Sequence, residues 1–263
     1  MNIPNRTVWI TGASSGIGEA LAYVLSERGA RLVLSARRAP QLREVRAACT
    51  DPDRHIVAPL DLADASTLQA AVADVHDRRG PTDILVHSGG ISQRSLVKDT
   101  DLDVDRRIME VNYFGTIALT KRVLPAMLER GRGHLVVISS VVGKFGTAHR
   151  SAYAASKHAL HGFFDSLRAE VHDDGLRVTL VCPGFVKTNI AHNALTEDGV
   201  PLSAKKDEVQ EIGIPPAQCA RQIADAIERE KEEVYIGGWE TLGVYAKRLA
   251  PTLFNRAIRK MNV

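Results

Sequence analysis

The chain has 263 residues, of which 44% are apolar and 25% charged, as is ordinary for a soluble globular protein of one domain. Its 34 basic and 31 acidic residues give a net charge of +3, which is too mild to indicate a nucleic acid partner. Cys49, Cys182 and Cys219 have neither disulfide nor metal-ligand spacing, so we expect reduced thiols and no metal site. No apolar run approaches the ~18 residues of a membrane span, and no signal peptide precedes the first predicted strand. We therefore expect a cytoplasmic protein.

Short apolar runs alternate with helical patterns along the chain. The predicted strands cover residues 7–11, 31–36, 55–59, 83–87, 133–139 and 176–182. The predicted helices cover residues 16–28, a segment after Pro40, 65–78, 101–130 with an interruption near Gly115, and 151–172. This alternation predicts an α/β fold in one domain over residues 1–263: a Rossmann-like, doubly wound parallel sheet of about seven strands, with helices on both faces. Such sheets bind ligands at the carboxyl ends of their strands.

A glycine-rich turn, Thr11-Gly-Ala-Ser-Ser-Gly-Ile-Gly18, joins the first predicted strand to its helix. Glycine permits the tight turn and the close approach of a phosphate, because it carries no Cβ. The free N–H groups and the dipole at the start of the helix favour an anion. This turn therefore predicts a site for the pyrophosphate of a dinucleotide.

The end of the second predicted strand decides which dinucleotide is expected. An NAD site needs a carboxylate there to bind the ribose 2′-hydroxyl, whereas this strand ends Ser35-Ala-Arg-Arg38. Guanidinium groups bind phosphates as a planar fork, and Ser14 could add a hydroxyl donor. Arg37 and Arg38 therefore predict NADP in preference to NAD.

A tyrosine and a lysine lie one helical turn apart in Tyr153-Ala-Ala-Ser-Lys157. A phenol beside a cation can transfer a proton while a nicotinamide transfers a hydride. We expect Lys157 to lower the pKa of Tyr153 from about 10 toward the working pH, and to hold the nicotinamide ribose. Either serine of the pair Ser139-Ser140 could bind the substrate oxygen, and strand alternation points them to opposite faces.

These motifs and their spacing resemble the short-chain dehydrogenase/reductase family from residue 7 to about residue 190. The resemblance implies that Ser140 is the substrate-orienting serine, that Asp61-Leu62 contacts the adenine, and that Pro183–Thr188 contacts the nicotinamide. It also places Asn112 where the family interrupts a helix, and Asn112 either relays protons through a water or satisfies backbone groups there. The complete predicted cofactor set is Gly12, Ser14, Ser15, Gly16, Ile17, Gly18, Arg37, Arg38, Asp61, Leu62, Gly89, Tyr153, Lys157, Val186 and Thr188.

The sequence departs from the family after the fourth predicted strand, where Asn-Asn-Ala-Gly is usual and His87-Ser-Gly-Gly90 stands here. We expect the backbone at Gly89 to keep its contact with the adenosine ribose and His87 to be a core histidine. At finer grain, segments at residues 35–38, 89–96 and 235–238 resemble the member 7 dehydrogenase/reductases, a group of lipophilic carbonyl and steroid reductases.

Together these features predict an NADP(H)-dependent oxidoreductase that interconverts a carbonyl and an alcohol. Asn112, Ser140, Tyr153 and Lys157 are its predicted catalytic residues, Ser140 and Tyr153 also bind the substrate, and the substrate is a lipophilic ketone or aldehyde or a steroid-like molecule. The alternative is a binding protein that senses NADPH without turnover, for which a tuned phenol would have no use. The resemblance also implies a homodimer or homotetramer.

Two segments outside these motifs are open to more than one interpretation. Residues 189–214 are polar and either form a surface excursion or a lid over the substrate. Residues 241–263 form a basic amphipathic tail without an acidic residue, with Lys247, Arg248, Arg256, Arg259 and Lys260 as its cations. In one interpretation the tail is a helix that docks on its own subunit or on a second subunit. In the other it borders the substrate pocket and contacts an anionic membrane.

Overall fold

Seven parallel strands form the centre of the protein, whose computed structural model describes residues 2–202 and 213–259. The strands lie in the order β3-β2-β1-β4-β5-β6-β7. Their bounds are β1 Thr7–Thr11, β2 Arg31–Ser35, β3 Ile56–Val57, β4 Ile84–His87, β5 Gly133–Ile138, β6 Leu176–Pro183 and β7 Glu233–Ile236.

Helices cover both faces of this sheet. They are α1 Gly16–Glu27, α2 Ala39–Ala48, α3 Ala65–Arg79, α4 Leu102–Met109, α5 Gly115–Glu129, α6 Ser151–Val171, α7 Pro216–Glu228, α8 Leu242–Leu249 and α9 Pro251–Ile258. The pleat of β1 shows the two layers: Val8 and Ile10 belong to the core beneath α1, α2 and α7, whereas Trp9 belongs to the core beneath α3, α5 and α6. The predicted fold class is therefore confirmed.

The strand order reverses between β1 and β4, which places the ligand edge of the sheet. The chain runs outward from β1 to β3, returns to β4, and then runs outward in the other direction to β7. Crossover connections diverge at this point, so a crevice opens beyond Thr11 and His87 at the carboxyl ends of the two strands. The glycine-rich turn leaves β1 at this crevice.

Two strand boundaries differ from those expected, whereas the interruption of the long helix lies where it was expected. Strand β3 contains two residues, although the chain continues beside β2 beyond Val57, with Ala58 donating to Leu34 at 3.0 Å and Leu60 donating to Ala36 at 3.2 Å. Strand β6 instead continues through Pro183, which pairs with Ile236. The long helix is interrupted by a π-helical turn over Glu110–Phe114, immediately before Gly115.

The C-terminal helices α8 and α9 dock on the body of the protein. Val244, Phe254 and Ile258 pack against a cluster that includes Phe145 and Tyr153. The buried carboxylate of Glu240 accepts hydrogen bonds from the backbone N–H groups of Phe185 and Gly238, each at 2.9 Å. Of the predicted tail, residues 241–259 are described here and residues 260–263 lie outside the described residues.

Two expectations from composition can be compared with the described ranges. All three cysteines are buried and free. Within residues 2–202 and 213–259, every helix is too short or too polar to cross a bilayer.

Candidate active site

A cleft of about 450 Å³ lies at the carboxyl edge of the sheet. Among the predicted site residues, Gly18 and Asn112 do not line it. Those that do are Gly12, Ser14, Ser15, Gly16, Ile17, Arg37, Arg38, Asp61, Leu62, Gly89, Ser140, Tyr153, Lys157, Val186 and Thr188. The fold therefore brings one nucleotide-binding set and one acid–base set into a single cavity.

The glycine-rich turn forms one wall of the cleft. Gly12 has φ of +67°, and a Cβ there would lie 2.7 Å from the Cα of Gly89, so only glycine lets the ends of β1 and β4 touch. Gly18 lies behind the turn against the carbonyl oxygen of Gly12, which explains its absence from the cleft. Ser15 precedes α1 and makes no capping bond through its side chain. The first N–H groups of α1 are therefore suited to an anion.

Arg37 and Arg38 lie at the end of β2, where they are exposed and line the cleft together with Ser14. Asp61 also lines the cleft, and it accepts a hydrogen bond from the backbone N–H of Ala63 at 3.0 Å within its own loop. Two guanidinium groups are thus present where the ribose 2′ position is expected, and the preference for NADP stays a prediction.

Tyr153 and Lys157 lie on the buried face of α6. The Lys157 ammonium donates to the carbonyl oxygen of Ile138 at 2.8 Å and lies 5.6 Å from the centroid of the Tyr153 ring. Burial lowers the pKa of Lys157 to about 8, so its amine is mainly charged at neutral pH. The predicted cation is therefore beside the predicted phenol.

The expected lowering of the Tyr153 pKa is not found in the protein alone. Burial raises the pKa of Tyr153, although the Arg150 charge and a hydrogen bond with Ser140 both act to lower it. The balance follows from the loss of solvation of a buried phenolate, which outweighs the nearby charge. The phenol therefore carries its proton at neutral pH.

The two serines after β5 have separate surroundings. Ser140 accepts from the backbone N–H of Val142 and donates to the carbonyl oxygen of Pro183, both at 3.3 Å, and its hydroxyl acts to lower the pKa of Tyr153. Ser139 instead places its hydroxyl 3.0 Å from Nε2 of His161. Of the two, Ser140 is the one that interacts with the phenol.

Asn112 lies inside the π-helical turn, where it is buried. Its amide accepts from the backbone N–H of Ile91 at 2.8 Å and donates to the carbonyl oxygen of Ile91 at 2.9 Å and to Ser156 at 3.0 Å. These contacts support the structural alternative for Asn112, since they satisfy the loop after β4. The proton relay stays a prediction.

Gln93 is a buried residue whose role the sequence analysis missed. Its Oε1 accepts from the backbone N–H groups of Ala152 at 3.1 Å and Tyr153 at 3.3 Å, while its Nε2 donates to Ser151 at 3.1 Å. It therefore satisfies unpaired donors at the start of α6 and fixes the turn that carries Tyr153. No local spacing could reveal this, because Gln93 and Tyr153 are 60 positions apart.

The segment predicted as a lid supplies further lining residues that the motifs did not identify. Of this segment, residues 189–202 and 213–214 are described and residues 203–212 lie outside the described residues. The lining residues from this segment are Asn189, Ile190, Asn193, Leu195 and Pro201. These positions make the segment part of the cleft wall, and its closure stays a prediction.

A smaller pocket of about 90 Å³ adjoins the cleft. Ser140 and Gly184 line both cavities. The rest of its wall is mainly apolar and aromatic, and it includes Val141, Val142, Phe145, Phe185, Trp239, Phe254 and Ile258. The C-terminal helices therefore enclose apolar space next to the predicted substrate-binding serine.

Two histidine clusters near the sheet remain. His87 is fully buried, shares a hydrogen bond of 2.8 Å with Thr120, and has a pKa lowered to about 3 by burial, as expected of a core histidine.

His161 lies between Cys182 and Glu233. The Cys182 sulfur is 3.7 Å from its Nε2, and the Glu233 carboxylate is 3.8 Å from its Nδ1, on opposite sides of the ring. Because the Lys144 ammonium already lies 2.7 Å from the Glu233 carboxylate, we assign no metal to this cluster.

Comparison with known proteins agrees with this geometry. The family description "short chain dehydrogenase" matches residues 6–199. "Dehydrogenase/reductase SDR family member 7B" of Mus musculus is 42% identical over 258 residues, which cover 96% of this chain and 80% of that protein. "Dehydrogenase/reductase SDR family protein 7-like" of Anopheles gambiae is 43% identical over 266 residues, covering 98% and 84%.

Solved structures share the whole fold. A short-chain dehydrogenase from Streptomyces avermitilis has a TM-score of 0.81 at 30% identity, with 97% of this chain and 98% of that chain covered. A short chain dehydrogenase from Burkholderia cenocepacia, solved in complex with NADP, has a TM-score of 0.80 at 23% identity, with 99% and 100% covered. This chain belongs to the short-chain dehydrogenase/reductase family.

Proposed function

We propose that the protein is an NADP(H)-dependent oxidoreductase that reduces a lipophilic ketone or aldehyde to an alcohol. The observation that carries this proposal is the single cleft in which Tyr153, Lys157 and Ser140 share one cavity with the glycine-rich turn. A protein that only senses NADPH needs the turn, but it has no use for a buried phenol beside a cation.

The cofactor is proposed as NADP because of the end of β2. Arg37 and Arg38 line the cleft there, and Ser14 adds a hydroxyl. A doubly charged 2′-phosphate fits two guanidinium groups and one hydroxyl, whereas an NAD ribose would leave them without a partner. When bound, the dihydronicotinamide supplies the hydride that goes to the carbonyl carbon.

The protein's own residues would complete the reaction at the carbonyl oxygen. The Tyr153 phenol donates its proton to this oxygen as the C=O double bond becomes a single bond, and solvent then restores the proton. Ser140 donates a hydrogen bond to the same oxygen and stabilises the charge that develops on it. Lys157 stabilises the phenolate that remains, because its ammonium lies 5.6 Å from the Tyr153 ring.

The lipophilic character of the substrate is proposed from the apolar pocket beside Ser140. Phe145, Phe185 and Phe254 contribute to its wall, and a hydrophobic group attached to the reacting carbonyl would lose its contact with water there. Described residues of the 189–202 segment would cover the reacting end. We also propose a cytoplasmic location, and a homodimer or homotetramer as the family resemblance implies.

A screen of ketones, aldehydes, steroids and quinones for consumption of NADPH tests this function. Turnover of one class of apolar carbonyl compound, absent with NADH at equal concentration, is the expected result. The contrary result is tight NADPH binding by calorimetry without turnover of any carbonyl compound, which would favour the sensor.

A further inference from the structure

The outer face of the C-terminal helices carries a concentration of exposed apolar side chains. We define the tail surface as Trp239, Leu242, Tyr245, Leu249 and Leu253 with the cations Arg248, Arg256 and Arg259. Its five apolar members are between 53% and 82% exposed. Twelve large apolar side chains are exposed among the described residues, and these five lie within fifteen consecutive positions. A clustering of this kind marks an interaction site.

Three of these residues lie together on one side of α8. Leu242, Tyr245 and Leu249 follow each other at three and four positions, which is one helical stripe. The opposite side of α8 is already buried against the protein. Val244 packs on the body of the protein, and a Cβ added at Gly243 would lie 3.2 Å from the Phe145 ring. Leu242 and Leu249 are therefore on the side of α8 that faces away from the body of the protein, whereas Tyr245 of the same stripe also contacts the Tyr235 ring, with centroids 5.8 Å apart.

The charged residues from position 241 to position 259 all have one sign. Arg248, Arg256 and Arg259 are exposed, and residues 241–259 contain no aspartate or glutamate. Lys247 is engaged locally, since it donates to Asn255 at 3.0 Å and lies over the Phe254 ring. An apolar stripe with flanking arginines has the character of an interfacial helix that lies on an anionic lipid surface.

We propose that the tail surface docks on an anionic membrane and so presents the apolar pocket to the lipid phase. A second copy of the chain is a poorer occupant. In a twofold contact the arginines of one copy would face those of the other, and residues 241–259 contain no acidic side chain to neutralise them. The pocket lies directly beneath, since Trp239, Phe254 and Ile258 line it. Docking needs no turnover, so it is tested separately from the proposed function.

The two tryptophans make docking directly visible. Trp9 is 1% exposed in the core, whereas Trp239 is 63% exposed on the tail surface. On addition of phosphatidylglycerol vesicles at low salt, we expect a blue shift of the fluorescence, which is abolished in Trp239→Phe. Vesicles of pure phosphatidylcholine, or high salt, should give much weaker binding because screening removes the attraction of the arginines.

Cosedimentation with the same vesicles tests the two components of the surface. Arg248→Gln/Arg256→Gln/Arg259→Gln should bind about 100-fold more weakly, since each cation contributes about 1 kcal/mol near an anionic surface. Leu249→Ser/Leu253→Ser should bind at least tenfold more weakly. The control for the arginine variant is Arg43→Gln/Arg132→Gln/Arg229→Gln, which makes the same change in net charge at other exposed positions. The control for the leucine variant is Val97→Ser/Leu102→Ser, at exposed apolar positions outside the tail surface.

Three results would overturn the proposal. One is failure of the wild-type protein to pellet with phosphatidylglycerol at low salt. Another is equal binding by the tail variants and their controls. The third is a loss of molecular mass in Leu249→Ser/Leu253→Ser by sedimentation without vesicles, together with no vesicle binding by the wild type, which would assign the surface to a second copy.

Discussion

The ammonium of Lys157 lies 5.6 Å from the centre of the Tyr153 ring, one helical turn along α6, and both side chains are buried. Burial acts on the two groups in opposite directions: it raises the pKa of the phenol and lowers that of the ammonium to about 8. Both shifts favour the uncharged forms. The free protein therefore holds a protonated phenol, which is the form required for reduction of a carbonyl.

Removal of the phenol should separate binding from chemistry. Tyr153→Phe keeps the ring packing but loses the proton donor, so we expect NADPH affinity within about threefold of wild type and a turnover at least ~100-fold lower. Calorimetry and steady-state kinetics measure the two quantities. Retention of more than about a tenth of the wild-type turnover would show that another group donates the proton.

The pH profile of reduction should report Lys157. Because kcat/KM follows the ionisation of the free enzyme, we expect it to be level from about pH 6 and to fall above about pH 8, where the Lys157 ammonium loses its proton. The phenol does not cause this fall, since its pKa is raised. A profile that is level to about pH 10 would contradict the assigned role of the ammonium.

Arg37→Ala should remove most of the preference for NADP(H). We expect the wild type to bind NADPH at least ~100-fold more tightly than NADH, because a charged hydrogen bond left unmade costs up to ~3 kcal/mol. The matched control is Arg43→Ala, an exposed arginine on α2 that does not line the cleft. Equal affinities for the two cofactors in the wild type would disprove the assignment of Arg37.

Gln93 should act on Tyr153 through the start of α6. Gln93→Leu leaves the N–H groups of Ala152 and Tyr153 unpaired and buried, so we expect about 1–3 kcal/mol of lost stability and a lower kcat at nearly unchanged NADPH affinity. Gln93→Glu keeps the acceptor and should restore the stability. Recovery of kcat together with stability in Gln93→Glu would support a positioning role for Gln93, whereas an unchanged kcat in Gln93→Leu would contradict it.

His87 should make the fold sensitive to acid. Its pKa is about 3 in the folded protein and about 6.5 when unfolded, so the unfolded chain binds the proton first and stability falls as pH drops below 6.5. Urea unfolding at about pH 7.5 and about pH 5 should show a loss that is about 2 kcal/mol smaller in His87→Asn than in wild type. Equal losses in both proteins would mean that His87 ionises freely in the folded state.

Much of the fold could be predicted because parallel strands are buried on both faces and therefore appear as short apolar runs between helices. The cleft could be predicted for the same reason. Once Thr11 and His87 end neighbouring strands, the turn after each must meet at one edge. The roles of Arg37 and Tyr153 could be predicted from their positions in the sequence alone, because Arg37 follows the end of a strand and Tyr153 lies on one face of a helix.

Other features depend on burial or on distant contacts, which local spacing does not contain. The pKa of Tyr153 is raised because the loss of solvation outweighs nearby charges, and the balance requires the depth of the side chain. The amphipathic pattern of the tail does not show which stripe docks. Phe254 packs inward on Phe145 while its neighbour Leu253 remains 65% exposed.

Glu240 links the tail to the segment that follows β6. Its carboxylate accepts from Phe185, which adjoins the cleft-lining residues Gly184 and Val186, and also from Gly238 at the entrance to the tail. Glu240 thus connects the start of the tail to the wall where the nicotinamide is proposed to bind, in addition to the backbone hydrogen bond from Gly184 to Ile236 at 2.8 Å. Without this carboxylate, a backbone N–H group on each side of the connection would lose its acceptor, so the tail and this wall of the cleft depend on the same side chain for their relative position.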